Sequence, residues 1–314
     1  LTLTCAAIFV LNTSMFVQSD DNRPTLLAHR GLAQQFSKEG LTGETCTAAQ
    51  SLITGHSYLE NTLPSMQAAF DLGADIVEFD VHLTADNRFA VFHDWTLDCR
   101  TDGVGVTREQ TLDSLQKLDL GYGYTADGGQ SYPFRGLGVG MMPSLEDVLA
   151  AFPEHYFLIE IKSQVPREGI QLAERLANLP PERLKRIMVY GGGQAVTKIR
   201  DRLPHTKTTW RALLKKCLVR YFAFGWTGFV PAACEHSVLT IPANYAPWLW
   251  GWPNRFIKRM EEAGSSVFII GDYAGEGYSQ GFDDPDRLRE FPPDFAGGIW
   301  TDRIDLLGPA IRRD

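Results

Sequence analysis

Short apolar runs rich in β-branched and aromatic residues alternate along this chain with amphipathic segments. The apolar runs predict strands, and most of the segments between them have the period of a helix. The predicted strands cover residues 25–28, 75–81, 89–92, 156–161, 186–190, 207–210, 266–270 and 298–301. The predicted helices cover residues 61–72, 145–152, 168–179, 194–203, 254–263 and 284–291.

This alternation indicates an α/β fold. Strands that alternate with helices form a parallel sheet, and eight strands in 314 residues predict a closed (β/α)8 barrel of the TIM type. A doubly wound open sheet is the alternative. It is weakened because no GxGxxG sequence opens a helix after the first predicted strand.

Three stretches do not fit the repeat and predict long loop insertions. They cover residues 32–59, 98–143 and 215–253, and the last is rich in tryptophan and phenylalanine. All three follow predicted strands, so in a barrel we expect them on the C-terminal face, where barrel enzymes hold their active sites. Residues 20–314 are therefore predicted to form a single barrel domain with three insertions.

An apolar segment, residues 1–19, precedes this domain and contains no charged residue. Its run 5–11 is typical of the end of a signal peptide or a membrane anchor. The alternative is an N-terminal helix or strand that caps the barrel. The first interpretation predicts a protein that is exported or membrane-anchored, on the periplasmic or extracellular side, rather than cytoplasmic.

The five cysteines include no CxxC pair, which argues against a zinc knuckle. Cys46 and Cys99 fall in predicted loops, and Cys217 and Cys234 bracket one aromatic stretch. Two disulfides, Cys217–Cys234 and Cys46–Cys99, would fit an exported protein, and free buried thiols are the alternative.

The net charge of −8 argues against a nucleic-acid-binding surface, which would need a basic face. It does not exclude a small phosphate substrate, because a local cationic pocket can oppose the global sign. The expected partner is therefore a small molecule.

Pairs of charged residues share one side of two predicted strands. Glu78 and Asp80 are two residues apart, as are Glu160 and Lys162, and alternate side chains of a strand point the same way. Buried carboxylates repel each other unless a cation or a proton offsets their charge. We therefore expect Glu78, Asp80 and Glu160 to bind one divalent cation, Mg²⁺ or Ca²⁺, with a structural Glu160–Lys162 ion pair as the alternative.

Two histidines, His29 and His93, end predicted strands close to these acids. We expect one to act as general base and the other as general acid. Arg30 and Lys162 are expected to bind a phosphate group, and Trp300 either lines the pocket or is a core ring. This combination predicts a metal-assisted phosphodiester or ester hydrolase.

Six short strings, in this order along the chain, resemble the glycerophosphodiester phosphodiesterases. They are Ala28-His29-Arg30-Gly31, Glu60-Asn61-Thr62, Glu78-Phe79-Asp80-Val81, Phe92-His93-Asp94, Glu160-Ile161-Lys162 and Thr301-Asp302-Arg303. The resemblance runs from about residue 26 to about residue 306 and implies a TIM-type barrel with a bound Ca²⁺ or Mg²⁺. It also implies that the residues matching Glu60 and Asn61 lie in the pocket, Glu60 as a metal ligand or as an orienting group.

The reaction that this resemblance implies is hydrolysis of glycerophosphodiesters to glycerol 3-phosphate and an alcohol. A glycerol hydroxyl of the substrate attacks first and gives a cyclic phosphate, which water opens. One alternative is a phospholipase D-like or lyase activity on lysophospholipids. Another is a non-catalytic barrel that binds lipid or a partner, which the complete set of candidate residues argues against.

The aromatic stretch 215–253 has no counterpart in the shortest members of this family. Exposed tryptophan rings bind cationic ammonium groups and membrane interfaces. We expect this stretch either to grip a choline-like head group or, together with residues 1–19, to rest on a membrane. The alternative is a structural lid with buried tryptophans.

Overall fold

Nine strands form one sheet in the computed structural model, which describes residues 8–15, 17, 23–42, 45–52, 55–275 and 280–311. The strands are β1 (Thr25–His29), β2 (Ile76–Leu83), β3 (Phe89–Val91), β4 (Tyr156–Ile161), β5 (Ile187–Gly191), β6 (Thr208–Thr209), β7 (Val238–Pro242), β8 (Ser266–Ile270) and β9 (Gly298–Thr301). Eight of them run in the order β6-β5-β4-β2-β1-β9-β8-β7, and each hydrogen-bonded pair along this order is parallel.

The two ends of this strand order approach each other. The backbone N–H of Thr208 in β6 donates to the carbonyl of His236, two residues before β7, at 3.0 Å. The eight parallel strands therefore form a nearly closed barrel, and the predicted (β/α)8 architecture is confirmed.

Helices connect most of the parallel strands, as a barrel requires. They are α1 (8–12), α2 (Leu63–Asp71), α3 (Leu112–Leu115), α4 (Leu145–Ala151), α5 (Pro166–Ala177), α6 (Pro181–Leu184), α7 (Gly193–Arg202), α8 (Arg211–Phe224), α9 (Asn254–Glu262) and α10 (Ile304–Ile311). The predicted helix at 284–291 is instead a 3₁₀ helix, Pro285–Glu290. Helix α2 begins with a capping box between Thr62 and Ser65, which fixes the chain just after Glu60 and Asn61.

The strand predicted at 89–92 is not part of the barrel wall. Strand β3 pairs antiparallel with β2, with Val81 opposite Val91. Only five residues separate the two strands, whereas a parallel pair needs a crossover of a dozen or more. The prediction of a third barrel strand was therefore wrong, although the hairpin still carries residue 93 back toward the end of β2.

The missing barrel strand lies inside the stretch 215–253, which the sequence predicted to be an insertion. Strand β7, Val238–Pro242, pairs parallel with β8 along five register positions. Helix α8 also falls largely within this stretch. Because the residues around this five-residue strand are aromatic, the sequence pattern did not indicate a strand here. The prediction that 215–253 is an insertion into the barrel was therefore wrong.

The barrel interior is apolar toward the N-terminal ends of the strands and charged toward their C-terminal ends. Ile76, Leu158, Val238 and Phe268 belong to one buried cluster, which also contains Trp300. Alternation along β2 and β4 then places carboxylates on the same inward side, nearer the C-terminal ends of these strands. The larger core cluster contains the alternate residues of the strands and the facing helices.

Both predicted disulfides are present. Cys46–Cys99 joins the loop after β1 to the loop after β3 across a Cα–Cα distance of 5.4 Å. Cys217–Cys234 joins α8 to the segment before β7 across 4.9 Å.

Part of the predicted anchor segment packs on the barrel. The carbonyl of Leu11 accepts a hydrogen bond from Arg259 of α9 at 2.8 Å, and Ser14 Oγ donates to the carbonyl of Gly251 at 3.1 Å. Residues 1–7, 16 and 18–19 lie outside the described residues. Among the helices of the described ranges, none has the length and apolar character that a bilayer crossing requires.

Candidate active site

The turn after β1 positions His29 and Arg30 at the C-terminal end of the barrel. Arg30 (φ 58°) and Gly31 (φ 78°) both adopt left-handed backbone conformations. A Cβ atom on Gly31 would lie 2.6 Å from Ser65 Oγ, so only glycine fits this turn. As a result, the backbone N–H of Arg30 donates to Glu78 Oε2 at 3.1 Å.

Three carboxylates meet at the top of the barrel, where β2 and β4 end. Oxygen atoms of Glu78, Asp80 and Glu160 all lie within 4.8 Å of one another. Asp80 and Glu160 are register partners on neighbouring strands, and the side chains of Glu78 and Asp80 are fully buried. Within the described part of the chain, this is the one group of acidic, histidine or cysteine side chains close enough to hold a metal ion.

This acidic group fits a divalent cation. Asp80 Oδ1 is buried without a hydrogen-bond partner. Burial and the neighbouring Asp80 charge raise the pKa of Glu78 to about 8, and burial together with Asp80 also raises the pKa of Glu160. An all-oxygen donor set suits a hard cation, and such a cation would offset the repulsion between the carboxylates and bind the oxygen that lacks a hydrogen bond.

Two side-chain cations stand beside the acids. Lys162 Nζ lies 3.1 Å from Glu160 Oε2 and 3.4 Å from Asp80 Oδ1, and Arg30 Nε lies 3.3 Å from Asp80 Oδ2. Although burial opposes it, Lys162 and Arg30 hold the pKa of Asp80 well below its usual range. The Glu160–Lys162 ion pair is thus present, and Lys162 faces the other carboxylates as well.

Asn61 and Glu60 support this arrangement in different ways. Asn61, at φ 60°, donates from Nδ2 to Asp80 Oδ2 at 2.9 Å and accepts the Asp80 N–H at 3.1 Å. Glu60 instead pairs with Arg30 and Arg100, each at 3.1 Å. Asn61 is therefore hydrogen-bonded to Asp80, one of the candidate metal ligands. Glu60 is paired with Arg30 and Arg100 and is not part of the acidic triad.

Each of the two histidines is paired with an aspartate. His29 Nδ1 lies 2.6 Å from Asp302 Oδ1, and His93 Nδ1 lies 2.6 Å from Asp94 Oδ1. A carboxylate on Nδ1 fixes the ring orientation and leaves Nε2 as the nitrogen that exchanges a proton. This is the arrangement expected of general acid–base catalysts.

The pKa values of the two histidines are shifted in opposite directions. Burial and the Arg30 charge lower the pKa of His93 to about 4. Burial and Arg30 act on His29 in the same direction, but Glu78 and Asp302 outweigh them and raise its pKa. The two imidazoles are therefore matched to different proton-transfer roles.

Arg100 links the second histidine pair to the phosphate-binding candidates. Its Nε donates to Asp94 Oδ2 at 2.9 Å, and its Nη1 donates to Glu60 Oε2 at 3.1 Å and to Tyr124 at 2.6 Å. Because Glu60 also binds Arg30, one chain of charged hydrogen bonds connects Asp94 with Arg30.

Two aromatic rings lie beside His29 and the acidic triad. The Trp300 ring centroid lies 5.4 Å from that of His29 and 5.5 Å from that of Tyr190. The Tyr190 hydroxyl lies 2.8 Å from Glu78 Oε1 and 3.2 Å from Glu160 Oε2. Trp300 is a buried ring of the apolar core cluster, as the alternative prediction had it, and it also packs beside His29 and Tyr190.

Sequence reasoning missed four residues of this site: Asp94, Arg100, Tyr190 and Asp302. Asp94 and Asp302 did stand in the strings that carried the family resemblance, but they received no role. Tyr190 lies on the inward side of β5, in register with Glu160, which an alignment of the predicted strands could have revealed. Arg100 lies in a long loop, and its sequence neighbourhood gives no signal of its contacts.

Fold and site together define a β/α barrel with an acidic, metal-compatible centre beside two histidine–aspartate pairs. Residues 29–198, more than half of the chain, match the glycerophosphoryl diester phosphodiesterase family. The chain belongs to this family, which confirms the resemblance found in the sequence.

Relatives match over a shorter range. A glycerophosphodiester phosphodiesterase of Caldanaerobacter subterraneus subsp. tengcongensis is 36% identical over 108 residues, which are 34% of this chain and 41% of that protein. One from Bacillus subtilis is 34% identical over 116 residues, 36% of this chain and 38% of the relative. The match thus spans less than half the length of each relative.

Solved structures match nearly the whole chain. A glycerophosphodiester phosphodiesterase from Agrobacterium tumefaciens superposes with a TM-score of 0.59 at 20% identity, covering 91% of this chain and 99% of that one. An Oleispira antarctica phosphodiesterase in complex with the product sn-glycerol-3-phosphate gives 0.59 at 17% identity, covering 93% and 98%. At these identities the likeness establishes the fold.

Proposed function

We propose that this protein hydrolyses glycerophosphodiesters to glycerol 3-phosphate and an alcohol. The observation that carries the proposal is the acidic triad flanked by two partly buried cations and two histidine–aspartate pairs. Membership of the phosphodiesterase family supports it, as do relatives that bear this enzyme's name.

Glu78, Asp80 and Glu160 would hold a divalent cation, either Mg²⁺ or Ca²⁺. When bound, such an ion polarises a phosphoryl oxygen and offsets the charge that develops during the reaction. Arg30 and Lys162 would bind the other phosphate oxygens, Arg30 through its planar guanidinium and Lys162 as a compact charge. The ion pairs with Glu60 and Glu160 hold these two side chains in place before substrate arrives.

His93 is the proposed general base, because an imidazole with a lowered pKa is neutral at pH 7 and can accept a proton. It would take the proton from the glycerol hydroxyl that attacks phosphorus. His29 is the proposed general acid and would donate its proton to the oxygen of the leaving alcohol. Water would then open the cyclic phosphate, with the two proton transfers reversed.

Release of glycerol 3-phosphate from a panel of diesters tests this proposal. The panel contains glycerophosphocholine and glycerophosphoethanolamine, with lysophosphatidylcholine to detect the phospholipase D-like alternative. We expect turnover with Mg²⁺ or Ca²⁺ and loss of turnover in excess chelator. Full activity in chelator would overturn the metal role, and metal binding without turnover on any substrate would favour a non-catalytic barrel.

Substitution of the histidines tests the acid–base roles. His29→Gln and His93→Gln should each reduce turnover by roughly 10²–10⁴ while the protein stays folded. His205→Gln is the matched control, because this exposed histidine lies outside the site and its loss should leave turnover unchanged. Near-normal turnover in His93→Gln would contradict the proposed mechanism.

We also propose that the protein acts in an exported location, periplasmic or extracellular. The two disulfides support this, because such bonds persist in oxidising compartments and are rare in the cytosol. Fractionation of the native host, with mass spectrometry of unreduced digests, tests it. Recovery in the cytosolic fraction with four free thiols at these positions would overturn it.

A further inference from the structure

One region of the surface exposes an unusual number of large apolar side chains. It combines the N-terminal segment 8–15, the C-terminal half of α8 with the turn that follows it, and the loop after β7. Its exposed apolar residues are Phe9, Val10, Leu11, Met15, Val219, Phe222, Phe224, Trp226, Phe229, Trp248 and Trp250. Soluble proteins rarely expose so many large apolar residues together unless the surface binds something.

Hydrogen bonds join the three segments into one surface, which we call the apolar–basic patch. Asn12 Nδ2 donates to the carbonyl of Trp226 at 2.9 Å, and Trp250 Nε1 donates to the carbonyl of Phe222 at 2.8 Å. The guanidinium of Arg259 donates to the carbonyl of Leu11 at 2.8 Å and to the Tyr221 hydroxyl at 2.9 Å. The exposed rings are therefore held on a fixed scaffold.

The helix that carries part of this patch is positively charged, although the molecule as a whole is acidic. Helix α8 contains Arg211, Lys215, Lys216 and Arg220 and no acidic residue, whereas the whole chain has 30 Lys and Arg against 38 Asp and Glu. Within α8, the exposed residues Lys215, Lys216 and Arg220 precede the exposed aromatic residues of its last turns. Trp248 is 71% exposed, so the alternative of a lid with buried tryptophans does not hold at this position.

We propose that the apolar–basic patch docks on the surface of an anionic lipid bilayer. Aromatic residues insert at the level of the lipid head groups, and neighbouring Lys and Arg are attracted to anionic lipids. The patch has both features, and a surface-bound protein needs no membrane-spanning helix. This inference is independent of the proposed reaction, because none of these residues belongs to the candidate active site.

A second copy of the chain is a poorer occupant for this surface. In a two-fold symmetric dimer the same patch meets itself, which would bring Lys215, Lys216 and Arg220 toward their own copies. Like charges repel across such an interface, whereas an anionic bilayer attracts them.

Vesicle co-sedimentation of the full chain tests the proposal. The vesicles are pure phosphatidylcholine, or phosphatidylcholine with about a third phosphatidylglycerol, which supplies the negative surface potential. We expect binding to the anionic vesicles, weaker binding to the neutral ones, and a decline with added salt because exposed charges are screened.

Paired variants separate the two components of the patch. Lys215→Gln with Lys216→Gln should weaken binding to anionic vesicles about 25-fold, since each such charge contributes roughly fivefold. Lys185→Gln with Lys198→Gln is the control, because it removes the same charge from other exposed positions.

A second pair of variants tests the aromatic component. Phe222→Ser with Phe224→Ser should weaken binding to both vesicle types, and the control Val104→Ser with Leu137→Ser should not.

The outcomes are decisive in either direction. Binding that is lost in the patch variants but kept in the controls supports the proposal, provided that the patch variants melt at the same temperature as the wild type. No binding to anionic vesicles, or equal losses in patch and control variants, would overturn it. A dimer in solution that Phe222→Ser with Phe224→Ser converts to monomer would assign the patch to self-association instead.

Discussion

At the scale of single residues, the site is a set of charges that compensate one another only in part. Asp80 illustrates this, because it faces Lys162, Arg30 and Asn61 and still keeps one buried oxygen without a hydrogen bond. A stable fold rarely leaves such an atom unsatisfied without a functional reason. Among the described residues, this oxygen, Asp80 Oδ1, has only the Lys162 ammonium at 3.4 Å as a partner, and it is a strong local argument that a metal ion belongs there.

Replacing this carboxylate should therefore abolish metal-dependent activity. Asp80→Asn keeps the shape of the side chain but removes its charge, so the triad loses a ligand and turnover should fall by a factor of about 10³ or more. Asp113→Asn, at an exposed position in α3, is the matched control. Steady-state turnover at saturating metal, together with calorimetric metal titration, measures both effects, and retained metal affinity in Asp80→Asn would contradict the assignment.

The aspartate behind His29 should act as a positioning residue. Asp302 raises the pKa of His29, so Asp302→Asn should lower that pKa and shift the corresponding limb of the pH–rate profile toward lower pH. Turnover should also fall, by about 10²-fold, because the imidazolium loses its stabilising charge. Asp305→Asn, which removes a carboxylate that pairs with Arg303, is the control. An unshifted pH profile would show that Asp302 only supports the structure.

The site residues that were predicted from the sequence follow a local strand pattern, whereas those that were missed depend on contacts between distant parts of the chain. Glu78, Asp80 and Glu160 were recognised because the two-residue period of a strand puts paired charges on one side. Arg100 and Tyr190 act through contacts with residues 40 and 112 positions away along the chain, to Glu60 and Glu78. No local period encodes such contacts, so only the folded arrangement reveals them.

At the scale of the elements, two strands show where the pattern of the sequence misleads. Strand β3 has a strongly apolar sequence but lies too close in sequence to β2 for a parallel crossover, so connection length overrides composition. Strand β7 is equally apolar, but the aromatic residues around it suggested an insertion. The predicted number of barrel strands was thus correct, while the identity of one strand was not.

The turn after β1 should be among the least tolerant elements of the molecule. Gly31→Ala combines a positive φ with a Cβ only 2.6 Å from Ser65 Oγ, and should lower the free energy of unfolding by several kcal/mol. Gly40→Ala is the matched control, because Gly40 also has a positive φ (66°) but no atom within 4 Å of the added Cβ. It should cost only about 1 kcal/mol of strain. Chemical denaturation compares the two, and equal losses would show that backbone strain alone matters.

The two disulfides should contribute unequally to stability. Cys46 and Cys99 are 53 residues apart, and Cys217 and Cys234 are 17 apart, so the first bond restricts the unfolded chain more. Loop-closure entropy predicts a difference of about 1 kcal/mol in its favour. Variants that keep only one disulfide, unfolded with and without reductant, measure each contribution, and a larger effect for Cys217–Cys234 would contradict this account.

At the scale of the whole molecule, barrel closure could be predicted because it depends on a repeat that the sequence displays directly. The uneven distribution of charge is also visible in the sequence, but the surface to which the charged residues belong could not be predicted from it. Only the folded chain shows that the segment 8–15, the end of α8 and the loop after β7 form one surface. The proposed lipid binding and the proposed catalysis thus involve different regions of one barrel, and each proposal can be tested without disturbing the other.

The acidic centre should also couple metal binding to the stability of the entire fold. Burial and Asp80 raise the pKa of Glu78 to about 8, above its unfolded value, so the metal-free protein should lose stability as pH rises from about 5 to 8. A divalent cation that binds only the folded state should offset this loss and raise the melting temperature.

Glu78→Gln should change the melting temperature in opposite directions in the absence and in the presence of the metal. In chelator at pH 8 the variant should melt at a higher temperature than the wild type, because one of the repelling carboxylates is gone. In Mg²⁺ or Ca²⁺ it should melt at a lower temperature, because a ligand is missing. Glu182→Gln, at an exposed position in α6, should leave both melting temperatures unchanged. A Glu78→Gln variant that is less stable than the wild type in chelator would show that the triad is balanced without a cation, and the argument for a metal site would then lose its physical basis.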